Sequence, residues 1–251
     1  MSATFKIGYL PLTKVNWTNE TLENARKNAK AYLASLPGVE VIGGDSMIDL
    51  ESRAVQELDF FEKERPDMVV AHLMTFSLGV VVPMFAQRLN VPVVLWSMKE
   101  PDPNGGRLQN NSFCSANMNA HYMYRMHIPY FHVHAEPGSA EASKLLNKAI
   151  RVSRTIKTLK RTRVGVIGGR VPGFFTSSCD EMMLRTKIGP EIKFITEHEV
   201  IETAKKLTDA EMDAALKTIL SDAPCHPTDG PTDEQLRKSA ALYAAVTKMK
   251  D

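Results

Sequence analysis

The feature that most narrows what this chain can fold into is an alternation: short β-branched or apolar runs recur between stretches with helical periodicity. Residues 5–10 read as a buried strand, and a helix follows with Leu22, Ala25, Ala29 and Leu33 on one face and Thr18 as a possible cap. Further strands are expected at 39–42, 68–71, 93–96 and 130–134. Between them lie a helix through Val55, Leu58 and Phe61, a helix at 78–89 that must tolerate a kink or frayed start at Pro83, and a helix within 105–123. Such alternation predicts a parallel sheet with right-handed crossovers and helices on both faces.

The first domain is therefore expected over 1–161 as a doubly wound, flavodoxin-like α/β unit. Ser139 can cap a long connecting helix with Leu145, Leu146, Ile150, Ile156 and Leu159 as its apolar stripe. The cations crowding its end, Lys157, Lys160, Arg161 and Arg163, read as a solvated helix terminus favoured by the macrodipole. A second α/β domain, 162–251, starts with a strand at 164–167, a Gly-rich turn, a helix through Met182, Leu184 and Ile188, and a strand at 192–195. Only helices follow, at 197–206, 209–220 behind Thr208, and 233–249. With two clear strands its sheet would be exposed, so this domain is expected to be incomplete.

Charge excludes some partners. Lys and Arg number 31 against 29 Asp and Glu, which leaves no dominant basic face for nucleic acid or an anionic membrane. Cys114, Cys179 and Cys225 show no disulfide or zinc spacing, so a reducing cytoplasm is the expected location. The start MSATFKIGYLPL lacks a signal-peptide build, and the longest apolar run, around LGVVVPMF, is too short to span a bilayer.

Three stretches carry chemistry. SMKEPDPNGGRLQNN lies past the C-terminal end of the strand at 93–96, where open α/β sheets bind ligands. Gly105 and Gly106 permit a tight backbone there, and Arg107, Gln109, Asn110 and Asn111 offer hydrogen-bonding groups suited to a polyol, although a polar loop with a cap at Asn111 or Ser112 explains them equally. Asn117 and His121 share a face of the next helix. MTFSLG follows the strand at 68–71 in the same way: Thr75 or Ser77 suffices as a cap, while Phe76 fits either the core or the apolar wall of a pocket. In GVIGGRVPGFFTSSCDE the glycine spacing matches neither a dinucleotide fingerprint nor a P-loop. Cys179 beside Asp180 lacks a neighbouring His, and Cys225–His226 lacks further ligands at metal spacing.

TFS after the third strand, NGGRLQNNSFCSANMNAHYM, and VGVIGGRVPGFFTSSCDEMMLRTKIG together resemble the L-fucose isomerase and L-arabinose isomerase superfamily, in order and separation, across nearly the whole chain. The resemblance implies two α/β N-terminal domains followed by a barrel-like domain, aldose–ketose interconversion of a monosaccharide, and Mn²⁺ as cofactor. By the same resemblance Phe76 lines the sugar pocket and His121 reaches a neighbouring subunit's pocket, which implies a homo-oligomer. Leu10, Met118 and Val171 depart from the superfamily pattern and leave the sugar open.

No match is found for the superfamily's metal-binding and proton-shuttling carboxylates or its metal-binding His, so no catalytic or metal residue is assigned. Phe76, Arg107, Gln109, Asn111 and His121 are the expected substrate-binding residues. The chain is expected to be the N-terminal part of a metal-dependent isomerase, inactive and without Mn²⁺ on its own. The alternative is a stand-alone sugar-binding or regulatory module that kept the fold without the catalytic half.

Overall fold

The computed structural model describes residues 4–102, 105–222 and 230–250. The chain divides into two compact units, 1–158 and 159–251. In the first, β1 (Phe5–Leu12), α1 (Glu20–Ala34), β2 (Val39–Ile42), α2 (Glu51–Glu64), β3 (Met68–Leu73), α3 (Val81–Leu89), β4 (Val93–Ser97), α4 (Ser112–Arg125), β5 (Tyr130–His134) and α5 (Ala140–Leu159) follow in order. The five strands form one parallel sheet in the order β2-β1-β3-β4-β5. This is the doubly wound α/β arrangement that the alternation predicts.

The central strands are apolar on both sides because both sides are covered. All six residues of β3, MVVAHL, are buried, as expected for a parallel strand between two helical layers. On one face α2, α3 and α4 bury Leu58, Phe61, Phe85 and Met123 against Leu10, Val69 and Leu95. On the other, α1 and α5 bury Leu33, Leu146 and Ile150 against Ile7, Val70 and Val133. Gly8 is a close approach: a Cβ there would overlap the Phe61 ring, so the bare backbone lets α2 lie tight on β1.

Three local expectations change. Asn19, not Thr18, caps α1, its Oδ1 accepting from Leu22 N at 2.9 Å. Helix α3 starts at Val81, so Pro83 falls in the first turn, where a missing N–H costs no intrahelical bond and no kink is required. Lys157, expected to be solvated, instead reaches Asp67 at 2.6 Å. The Ser139 cap is present, with Ala142 N at 3.1 Å from its Oγ.

In the second unit β6 (Arg163–Ile167), α6 (Glu181–Lys187), β7 (Glu191–Ile195), α7 (Glu197–Lys205), α8 (Asp209–Asp222) and α9 (Asp233–Met249) follow one another. Among the described residues its sheet is the parallel pair β6-β7. Thr196 and Thr232 close capping boxes at α7 and α9, and Thr208 accepts from Glu211 N at the start of α8. No helix among the described residues is long and apolar enough to cross a membrane.

Candidate functional site

The chain order reverses between β1 and β3, which makes the crevice beyond their C-terminal ends the favoured ligand position in an open parallel sheet. Three loops meet there, tied by bonds between residues far apart in sequence. Thr13, just past β1, and Thr75, just past β3, are both fully buried with their hydroxyls 3.0 Å apart. Lys14 N donates to Thr75 Oγ1 at 2.7 Å. A hydroxyl with one proton and two lone pairs can serve both partners. The next residue, Phe76, donates its N–H to Asn110 O at 3.0 Å, joining the β3 loop to the loop after β4.

The short-range caps expected in this region are not what these hydroxyls do. Thr75 is used as above, and the Ser77 hydroxyl lies 2.9 Å from that of Ser115 on α4; Val80 occupies the N-cap of α3 without a side-chain bond. Ser112 Oγ donates to Leu73 O and accepts from Met98 N at 2.9 Å, stitching the start of α4 to β3 and to the residue after β4. Asn111 is the α4 N-cap, with φ 56° and no side-chain cap bond. The left-handed region is one that Asn tolerates better than most residues.

One carboxylate shapes the polar loop. Glu100 accepts the backbone N–H groups of Gln109, Asn110 (2.8 Å) and Asn111 (2.7 Å). The loop is thereby held beside Phe76, with Arg107 and Gln109 exposed and Phe76 and Asn111 half-buried. Four of the five expected substrate-binding residues are thus on one edge of the sheet. His121 is not with them. It lies ten residues along α4 from Asn111, about 15 Å by helical rise, exposed and with its ring 6.2 Å from that of Tyr122.

Sequence reasoning missed the β1 mouth. Lys14 Nζ stands 4.8 Å over the Trp17 ring, and Asn16 between them takes φ 63°. The signal was available: TKVNW follows a strand end just as MTFS does. Also missed was the buried network under the site. His72 stacks on Trp96 (centroids 4.5 Å, planes 18° apart), its Nδ1 lies 2.8 Å from Tyr9 OH, and Trp96 Nε1 donates to Ala135 O at 2.8 Å. Burial pushes the His72 imidazole down to about 3 and the Tyr9 hydroxyl well up, so both are neutral near pH 7. Met47, Met74 and Met98 cluster with Leu22 in a separate buried group.

Asp180 caps α6, accepting from Met183 N at 2.9 Å, and the neighbouring Cys179 is exposed. Cys225 and His226 lie outside the described residues. On β5, His134 Nδ1 lies 2.9 Å from Ser97 Oγ, while burial first and His134 second lower the His132 imidazole. Among the described residues no group of three or more His, Cys, Asp and Glu could hold a metal ion. Arg107, the cation of the polar loop, carries donors only and cannot ligate Mn²⁺, which takes carboxylate and other oxygen ligands.

A family model for the fucose/sulfoquinovose isomerase N-terminal domain matches residues 8–160, nearly all of the five-stranded unit. The chain is also similar to a sulfoquinovose isomerase of Alkalicoccus urumqiensis, 28% identical over 220 residues that make up 85% of this chain and 48% of that protein. A sulfoquinovose isomerase of Priestia aryabhattai is 26% identical over 81% of this chain and 45% of its own length. One of Clostridium sp. (strain MSTE9) is 23% identical over 82% and 46%. The chain spans about half the length of the curated relatives it matches. With the switch-point crevice, the laced loops and the matched domain in agreement, the chain belongs to the fucose/sulfoquinovose isomerase family through its N-terminal domain.

Proposed function

We propose that this chain is the substrate-covering, N-terminal part of a ketol isomerase, and that the crevice beyond β1, β3 and β4 holds a monosaccharide during aldose–ketose exchange. One observation carries the reading: the bond from Phe76 N to Asn110 O sets an aromatic ring beside a polar loop at the ligand edge of the sheet. Phe76 offers an apolar wall to the C–H face of a sugar ring, and Arg107, Gln109 and Asn111 offer donors to its oxygens. The names of the relatives support sulfoquinovose as that sugar. Lys14 and Arg107, cations on the loops around the crevice, suit an anionic substituent.

The chain's own share of the work is binding, orientation and exclusion of water. Metal dependence, with Mn²⁺ as the expected cation, belongs in this proposal to the remainder of the complete polypeptide. The exposed position of His121 on α4 supports a role between copies in a cytoplasmic homo-oligomer.

Kinetics of the full-length polypeptide with sulfoquinovose test the reading. Phe76→Ala, Arg107→Ala and Asn111→Ala should each raise KM about two- to tenfold, as expected for a lost hydrogen bond or apolar contact. Arg107→Ala should weaken a sulfonated sugar more than a neutral one. Parent constants in all three variants would overturn the assignment of this crevice.

A further inference from the structure

One cation at the crevice keeps its full charge. Lys14 is the first exposed residue past β1, and its Nζ stands 4.8 Å over the Trp17 ring. Among the described residues no carboxylate pairs with it. Acids on the surrounding elements are engaged elsewhere: Glu23 pairs with Arg26 at 2.8 Å, Asp45 pairs with Lys30 at 2.7 Å, and Glu100 collects the N–H groups of 109–111. The face of an aromatic ring holds an ammonium in place without neutralising it, and leaves N–H groups for a ligand.

The backbone explains why the two side chains meet. Lys14 O accepts Trp17 N at 3.1 Å, which closes a four-residue turn whose third residue, Asn16, takes φ 63°. A turn with positive φ at that position favours Gly or Asn. The turn brings the indole back beneath the lysine stem. Lys14 N in turn donates to the buried Thr75 hydroxyl at 2.7 Å, so the turn is anchored to the loop after β3. Residues 75 and 76 are therefore tied to the β1 loop through Thr75 and to the polar loop through Phe76, whose N–H meets Asn110 O. A ligand lying against Phe76 is within reach of both loops.

Arg107, the second cation of the crevice, is placed differently. It is exposed on the loop gathered round Glu100, two residues from Gln109, whose N–H that carboxylate accepts. The carboxylate offsets part of the guanidinium's field, whereas the indole offsets none of the ammonium's.

We propose that Lys14, seated on Trp17, is the residue that selects an anionic sugar, its ammonium binding a sulfonate carried at one end of the molecule while the polar loop serves the hydroxyls. This rests on the reading that the crevice holds a monosaccharide, and adds to it which residue reads the charge. A sulfonate spreads one negative charge over three acceptor oxygens, which suits a compact ammonium with free donors. Trp17 acts through Lys14, as a positioning residue.

Kinetics of the full-length polypeptide with sulfoquinovose, and competition by 6-deoxyglucose as the same sugar without the sulfonate, test the proposal. Lys14→Met keeps the stem on the indole and removes the charge. It should raise KM for sulfoquinovose at least about tenfold and change the inhibition constant of 6-deoxyglucose less than about twofold. Lys14→Arg should keep most of the preference, and Trp17→Leu should lose part of it. If Phe76→Ala raises KM while Lys14→Met leaves both sugars unchanged or weakens them equally, the crevice holds the sugar but the charge is read elsewhere, and the proposal falls alone. A larger loss of preference in Arg107→Ala than in Lys14→Met would move the sulfonate to the polar loop and also overturn it. Parent constants in Phe76→Ala and Lys14→Met together would remove the crevice reading, and the proposal with it.

Discussion

The Tyr9 hydroxyl lies 2.8 Å from His72 Nδ1 in a core where both residues are fully buried, and among the described residues His72 Nε2 meets no partner. Only the neutral imidazole suits this enclosure, and burial pushes its pKa down to about 3. An unfolded histidine titrates near 6.5, so as pH falls the unfolded chain takes up this proton first. Stability should hold above pH 6.5 and fall between there and pH 3, by up to about 1.4 kcal/mol per pH unit from this group. Urea midpoints on both sides of pH 6.5 check this. His72→Leu should remove most of the slope, and an unchanged slope would assign it to other groups.

Thr75→Val keeps the volume of the side chain and deletes the hydroxyl shared by Thr13 and Lys14 N. Leaving the Lys14 N–H and the Thr13 hydroxyl without this partner should cost about 1–3 kcal/mol, read from urea unfolding. Thr75→Ser should recover most of the loss. A fully stable valine variant would show that the loops after β1 and β3 are held by something else.

Glu100→Ala removes the acceptor that collects three consecutive backbone N–H groups. Trypsin cleavage after Arg107 should then accelerate about tenfold, because local opening of the loop becomes easier by roughly the net value of one good hydrogen bond. Glu100→Gln should restore resistance only in part, since its carbonyl oxygen can still accept two of these N–H groups while its NH2 faces the third. Equal cleavage rates in parent and variant would show that the carboxylate does not hold the loop.

Gly8→Ala puts a methyl group into the space of the Phe61 ring. Overpacking of this kind should cost about 1–3 kcal/mol by chemical denaturation. The combination with Phe61→Leu should cost less than the two changes added, and strict additivity would mean that the strain is relieved elsewhere.

The fold was legible wherever a periodic pattern is local. The strands expected at 39–42 and 130–134 agree to the residue, while β1 runs on from 10 to Leu12. Pro11 is tolerated within the strand because its missing N–H falls on the side where β2 has already ended at Ile42, and its carbonyl accepts Ile48 N at 2.8 Å. The candidate site was legible in position, because a loop after a parallel strand is a ligand edge whatever it contains. Its internal bonding was not. Thr75 and Ser77 sit where caps belong, yet their partners are 62 and 38 residues away, a separation that no helix-start rule reads. His72 was hidden for a related reason: in MVVAHL it is one polar residue in an apolar strand, and only the sheet register puts Trp96 beside it.

The two tryptophans divide the molecule into two optical channels. Trp96, enclosed and stacked on an imidazole, should emit at short wavelength with partial quenching, whereas Trp17, half-buried beneath the Lys14 ammonium at the crevice mouth, should emit at longer wavelength. A sugar entering the crevice would perturb the second signal and leave the first in place, while unfolding would merge them. The natural chain thus supplies, without any added dye, a fluorescence assay that separates occupancy from denaturation.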